Sequence, residues 1–294
     1  MNNISTKISE IIFKYLGTSR MDPQKMQHPK REDQLAAMKN YWKKYTADEM
    51  RIHDHTILTL TSTPKPACPH ILYFHGGAYV WQGELVQWSF IKKMLRMTEC
   101  RISYIDYPLA PEHTFQDTFA MVQEAYEILA EKYADDNFIF MGDSSGAGLA
   151  LAFAEKIKKE KTLKQPVKLI LLSPWLDLAL NNPALKEYEK KDAVLTVEGL
   201  LAAGDLYAGG ESKSNPLLSP IHGDLKGLRE IAIFTGTHDI LYPDCLLLKD
   251  KVEEVGGNIK VFQYTEMMHV WMLFPLPEAK DVLGKIKDLI EGNI

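Results

Sequence analysis

Excess basic charge is missing from this chain: 34 Lys and Arg stand against 39 Asp and Glu, for a net charge of −5 over 294 residues. Without a basic patch or stripe there is no electrostatic footprint for nucleic acid, and that class of partner is excluded first. Long apolar runs are also missing. The longest are strand-sized, well short of the roughly 20 residues a membrane helix needs. The N-terminus, MNNISTKISE, has no basic region leading into an apolar stretch. The expectation is a soluble, unexported protein with no membrane partner. Cysteine is scarce and odd in number, with Cys68, Cys100 and Cys245 far apart and no CxxC pair. This fits reduced thiols in a cytoplasmic protein better than a disulfide framework. There is no GxGxxG and no Walker Lys-Ser/Thr, so nothing points to a nucleotide cofactor.

What is present is an alternation. From about residue 51 onward, strand-length apolar runs alternate with stretches of helical periodicity, the pattern of a mostly parallel sheet covered on both faces by helices. The strand candidates are ILYF (71–74), RISYIDY (101–107), NFIFMG (137–142), VKLILLS (167–173), IAIFTG (231–236) and IKVFQY (259–264). Helices are expected near 84–98, 116–133, 145–160, 243–255 and 278–291. In the second of these, Phe119, Val122, Tyr126 and Leu129 make one apolar stripe. The segment MRIHDHTILTLTS reads as an extra antiparallel edge strand or pair. Two regions fall outside the alternation. Residues 1 to 50 read as one or two helices, with Ile8, Ile11, Ile12, Tyr15 and Leu16 on one face, followed by the charged KREDQLAAMKNYWKKY. Residues 175 to 225 form a long excursion with one helical stretch near 196–208, and such insertions are usually lids or binding elements. One domain over 51–294 with this insertion is expected, with residues 1–50 as a separate N-terminal segment.

The strongest chemical signal is Gly142-Asp143-Ser144-Ser145-Gly146, between the strand NFIFM and the helix AGLALAFAEKIKK. With 18 Gly and 12 Ser in the chain, chance supplies about 0.04 matches to G-x-S-x-G, before the strand-turn-helix context is required. Such a turn is so tight that its middle residue is strained, with its side chain clear of the sheet. Ser144 would be an exposed nucleophile, and the NH of Ser145 would point at an oxyanion forming on a substrate carbonyl.

A serine hydroxyl needs a base, and the base needs a carboxylate to fix its tautomer. In this class of elbow the order is Ser, acid, His. Asp239 in GTHDILYPD lies just past one strand and His269 in TEMMHVW just past the next, so both sit at the sheet edge that carries Ser144. Asp244 and Glu266 are competing acids; Asp239 stands nearest the strand end. His75-Gly76-Gly77-Ala78, directly after ILYF, supplies a glycine turn that can aim consecutive NH groups at a ligand oxygen.

These motifs resemble the alpha/beta-hydrolase superfamily, in its hormone-sensitive-lipase-like carboxylesterase branch. HGGAYV resembles that family's HGGG oxyanion box, YPLAPEH (107–113) its Y-R-L-A-P-E-H stretch and GDSSGAG its GDSAGG elbow. NPLLSP (215–220) with THDIL resembles the run leading to its acid. The likeness spans about residues 70 to 275. It implies an alpha/beta-hydrolase fold with Ser144 as nucleophile, Asp239 as acid and His269 as base. The NH groups of Gly77, Ala78 and Ser145 would form the oxyanion hole, with Gly76 shaping its turn. Residues 1–50 and 175–225 would form a helical cap. Ala78 departs from the fourth position of HGGG but keeps its NH, Pro108 replaces the usual Arg, and Val-Trp follows His269 where Gly-Phe is usual.

The expected function is hydrolysis of short-chain carboxylic esters through an acyl-Ser144 intermediate, with no metal and no organic cofactor. Tyr79, Trp81, Trp175 and Trp271 are candidates to line the pocket. An amidase of arylformamidase type, suggested by the HGG-aromatic box with Trp81 and Gln82, is the alternative. A small-molecule receptor on the same scaffold is a third reading, against which His269 counts, since such relatives lose the catalytic His. The His53-Asp54-His55 stretch has no Cys or Glu partner nearby, which argues against a metal site. Self-association is left open.

Overall fold

A computed structural model describes residues 21–32, 42, 44–62, 65–161 and 163–294. Its centre is an eight-stranded sheet of β1 (Thr46–Ile52), β2 (His55–Thr61), β3 (Pro69–Phe74), β4 (Arg101–Ile105), β5 (Asn137–Asp143), β6 (Lys168–Leu172), β7 (Glu230–Gly236) and β8 (Ile259–Tyr264). The strand order is β1-β2-β4-β3-β5-β6-β7-β8. β2 pairs antiparallel with β1 and β4, and every other pairing is parallel. MRIHDHTILTLTS is therefore a hairpin, turning at His53 and Asp54, but its first strand begins earlier, at Thr46. That strand is half exposed and polar, so it carries no apolar alternation for a sequence reading to find.

The helices are α1 (Pro23–Met26), α2 (Leu85–Met97), α3 (Phe115–Lys132), α4 (Ser145–Glu160), α5 (Leu185–Glu189), α6 (Val197–Ala208), α7 (Tyr242–Glu254) and α8 (Pro277–Glu291). The five helices expected over the sheet lie within a residue or so of their expected bounds. The strands read as continuous apolar runs because both faces are covered. Leu72 and Phe74, Phe138 and Phe140, and Leu169 and Leu171 face one core with α3, α4 and α7. Ile71 and Tyr73, Ile139 and Met141, and Ile170 and Leu172 face the other with α2 and α8. Phe119, Val122, Tyr126 and Leu129 are all buried, as their stripe on α3 requires. At about 25 cal/mol per Å² of apolar surface removed from water, these two cores are the main stabilising term of the fold.

Strand order decides where a site can form. The chain leaves β3 for β4 on one side, then crosses back to place β5 on the other, so the loops after β3 and β5 splay apart at the carboxyl edge and leave a crevice. The excursion, with α5 and α6, borders that edge. The described part of the N-terminal segment lies against it: a Cβ at Gly199 of α6 would come within 2.6 Å of the Met21 carbonyl oxygen. The apolar face expected on Ile8, Ile11, Ile12, Tyr15 and Leu16 falls outside the described residues. Among the described residues no helix is long and apolar enough to cross a membrane. Cys68, Cys100 and Cys245 are buried and unpaired.

Candidate active site

β5 ends in Asp143, and the chain enters α4 at Ser145 through one residue, Ser144, with φ 53° and ψ −121°. A non-glycine residue in that region is strained and persists only where its surroundings over-determine it. Here they do. The Ser144 NH donates to the Leu172 carbonyl (2.8 Å), and its own carbonyl accepts from Ala147, Gly148 and Trp175. The flanking glycines permit close backbone passage: a Cβ at Gly142 would fall 2.5 Å from Gly146 backbone atoms, and one at Gly146 would fall 2.1 Å from the Phe74 carbonyl oxygen.

The three residues expected to act together are hydrogen-bonded in line. The Ser144 hydroxyl faces His269 Nε2 at 2.8 Å, and His269 Nδ1 faces Asp239 Oδ2 at 3.0 Å. A carboxylate can only accept, so Nδ1 carries the proton and Nε2 is the free base toward Ser144. Asp239 is fully buried, and its Oδ1 accepts the Leu241 NH (2.9 Å). The competing acids stand elsewhere: Asp244 bonds Asn182 Nδ2 (2.8 Å), and Glu266 is exposed. Val270, in a left-handed conformation, donates its NH to Ser173 Oγ (3.2 Å), which fixes the loop behind the imidazole. Burial by itself would lower the proton affinity of His269. The charge and hydrogen bond of Asp239, with the charges of Asp192 and Asp143, more than offset it, and the net effect is upward.

After β3 the turn is built for its glycines. Gly77 has φ +132°, and a Cβ there would lie 2.2 Å from the Trp81 carbonyl oxygen. The NH groups of Gly77, Ala78 and Ser145 have no acceptor among the described residues. The Gly76 NH is already engaged, donating to Asp143 Oδ1 (3.0 Å). Asp143 also accepts from the Tyr73 hydroxyl (2.7 Å) and from Gln87 Nε2 (3.1 Å), so one buried carboxylate ties β3, α2 and the glycine turn to the elbow. Burial raises its proton affinity, and those hydrogen bonds work against the rise. His75 is sealed under Tyr107 (ring centroids 4.4 Å apart) with Nδ1 on the Gly76 carbonyl oxygen (2.8 Å). Burial pushes its pKa down to about 4, so it is a neutral strut.

Of the four pocket candidates, Tyr79 and Trp175 come together (centroids 5.8 Å), and the ring of Tyr207 stacks on Tyr79 at 3.8 Å. Trp81 is half-buried. Trp271 lies in the other core cluster, against Tyr264 at 4.6 Å. Sequence reasoning missed Tyr207, the tie made by Asp143, and Arg31. The Arg31 guanidinium donates to the Val80 and Ala110 carbonyls and pairs with Glu112, pinning the N-terminal segment onto the glycine turn. Asp143 was visible inside the elbow motif; Tyr207 and Arg31 carry no sequence signal.

A second Ser-His-Asp arrangement exists at the opposite sheet edge. His70 joins Ser103 Oγ (2.7 Å) and Asp136 (3.1 Å), with Arg101 also on Asp136. Ser103 and His70 are wholly buried, so no substrate reaches them, and the network is structural. Among the described residues no group of three or more His, Cys, Asp or Glu side chains is placed to hold a metal ion. His55 instead packs edge-on to His113.

Comparison with known proteins places the chain by family and fold. Residues 71–273 match the model of a family described by its alpha/beta hydrolase fold. An esterase of Acinetobacter venetianus is 32% identical over 222 residues, which are 74% of this chain and 73% of that protein. An acetyl-hydrolase of Streptomyces hygroscopicus is 28% identical over 71% of each chain. A hormone-sensitive lipase from a metagenome library superposes with a TM-score of 0.78 at 25% identity, covering 97% of both chains. This chain therefore belongs to the alpha/beta-hydrolase family, in its hormone-sensitive-lipase-like branch.

Proposed function

We propose that this protein hydrolyses short-chain carboxylic esters, with Ser144 as nucleophile, His269 as general base and acid, and Asp239 as the carboxylate that orients the base. The esterase and acetyl-hydrolase relatives place it among carboxylic ester hydrolases; the residue roles and the substrate are our reading. The observation that carries it is the unbroken line Ser144 to His269 to Asp239 at a strained elbow. As Ser144 Oγ attacks the ester carbonyl, its proton passes to His269 Nε2, and the new oxyanion takes the NH groups of Gly77, Ala78 and Ser145. His269 then protonates the leaving alcohol, and water activated by the same imidazole releases the acid from acyl-Ser144. Each hole donor contributes roughly 3 to 4 kcal/mol of barrier reduction in comparable sites.

The small-molecule ester is the partner this reading needs. Residues 1–50 and 175–225 act as its cap, a role supported by the packing of Met21 on α6. Three buried unpaired thiols support a reducing, cytoplasmic setting. The Tyr79 NH donates to Ser145 Oγ (3.3 Å) at the start of α4, and its ring packs on Trp175 and Tyr207; we read this ring cluster as the wall that limits the acyl chain. A methylene that fits gains about 1 kcal/mol, whereas one that displaces packed rings costs about 1 to 3 kcal/mol, so the optimum falls at roughly two to six acyl carbons. Nitrophenyl esters from acetate to palmitate test this. A kcat/KM that climbs to long chains, or jumps once the substrate forms micelles, refutes the short-chain reading. Turnover of formyl-amides in preference to all esters would favour an amidase.

A further inference from the structure

Asp192 lies on the excursion between α5 and α6, far in sequence from the three residues of the line. Its carboxylate clasps two parts of the chain. Oδ1 accepts the NH groups of Val194 (2.7 Å) and Leu195 (2.9 Å), and Oδ2 accepts the NH of Ile240 (2.8 Å). Ile240 directly follows Asp239, whose own Oδ1 accepts the next NH, that of Leu241. Two carboxylates thus hold consecutive amides of the single turn that presents the acid to His269.

Placing like charges together is unfavourable. Burial, and then the charge of Asp239, push Asp192 up to about 6, and the side-chain charge of His269 and the amide bonds work the other way. Among the described residues no Lys or Arg forms an ion pair with Asp192; its neighbour Lys191 pairs with Glu187 (2.8 Å). The cation that both carboxylates face is the imidazolium of His269. The other charged group facing that ring is Asp143 at the end of β5, and Ser144 faces it from the elbow.

We propose that Asp192 is a positioning residue for the reaction: from the excursion it fixes the turn carrying Asp239, and its charge stabilises the imidazolium formed when His269 takes the Ser144 proton. The proposal rests on the triad reading above. It makes the excursion more than a cover, because seating that segment also sets the proton affinity of the base.

The test is Asp192→Asn, which keeps the volume and one acceptor but removes the charge and the partner of the Ile240 NH. The readout is the pH profile of kcat/KM on p-nitrophenyl acetate, with kcat and KM resolved at the plateau. Losing a negative charge beside the imidazole moves the acid limb to lower pH. The displaced turn lowers kcat by roughly tenfold to a hundredfold with little change in KM. The limb position is independent of how much of the sample is folded, so partial misfolding does not mask it. A limb at the wild-type position, or a loss carried wholly by KM, overturns the proposal. Should Asp192→Asn not fold at all, Asp192→Glu keeps the charge and must keep the limb in place while kcat falls; a limb that moves down with the charge present overturns it equally. If Ser144→Ala or His269→Ala retains activity, the triad reading fails and takes this role with it. If both are inactive and the Asp192→Asn limb stays put, only the role of Asp192 falls.

Discussion

Replacing Glu155 by glutamine should stabilise the protein, by an amount that grows with pH. Glu155 lies on the α4 face that meets the 220–224 loop, where it is 7% exposed. Among the described residues its Oε1 has no hydrogen-bond partner, and its Oε2 sits so close under the loop that a Cβ on Gly223 would fall 1.5 Å from it. Burial is the main cause that pushes its pKa up to about 8 from an ordinary 4.5, with Lys158 opposing and Asp224 reinforcing the rise. The sign follows from proton counting. Between those two values the folded state holds a proton that the unfolded chain has released, so folding stability falls as pH rises through the window. At 1.36 kcal/mol per unit, the penalty relative to a neutral side chain is up to about 1 kcal/mol at pH 5 and up to about 3 kcal/mol at pH 7. Glutamine has the same shape and no such penalty. Urea unfolding of both proteins at a series of pH values measures the difference directly. A gain that stays constant from pH 5 to pH 8.5 would show that Glu155 does not titrate in that window and refute the reasoning.

Ser144→Ala should lower kcat by roughly 10⁴ to 10⁶ with the fold intact, His269→Ala should match it, and the double variant should lose little more, because the residues act as a unit; an active Ser144→Ala enzyme ends the mechanism. Since the environment of His269 raises its proton affinity, kcat/KM should fall on acidification with a midpoint above the 6.5 of a free imidazole. A midpoint below that value would contradict the roles given to Asp239, Asp192 and Asp143. Gly146→Ala should cost roughly 1 to 3 kcal/mol of stability, and most of the activity, because its Cβ meets the Phe74 and His75 carbonyl oxygens at 2.1 and 2.5 Å. Gly284→Ala, in open space on α8, should instead stabilise by about 0.5 to 1 kcal/mol, and thermal melts of the two variants decide the comparison.

The chain's residue pattern sets the layers of the fold, because burial on both faces forces continuous apolar strands and one-sided burial forces a helical stripe. NFIFMG and the stripe from Phe119 to Leu129 could hardly have been anything else. It also determined the elbow, since only glycine tolerates the close backbone passage at positions 142 and 146. The carboxylate that faces His269 was legible only through order and strand ends: Asp239, Asp244 and Glu266 are chemically alike, and what separates them is which one reaches His269 Nδ1. Everything else depends on how the chain packs. Tyr79 and Trp175 share a ring cluster with Tyr207 while Trp271 packs elsewhere, since motif proximity says nothing about the direction a side chain takes from its loop. Arg31, Asp143 and Asp192 gain their parts from hydrogen bonds to chain 48 to 81 residues away. A carboxylate or guanidinium that finds its partners across such distances leaves no local pattern, because the chain path that brings them together is set by the packing of the whole sheet.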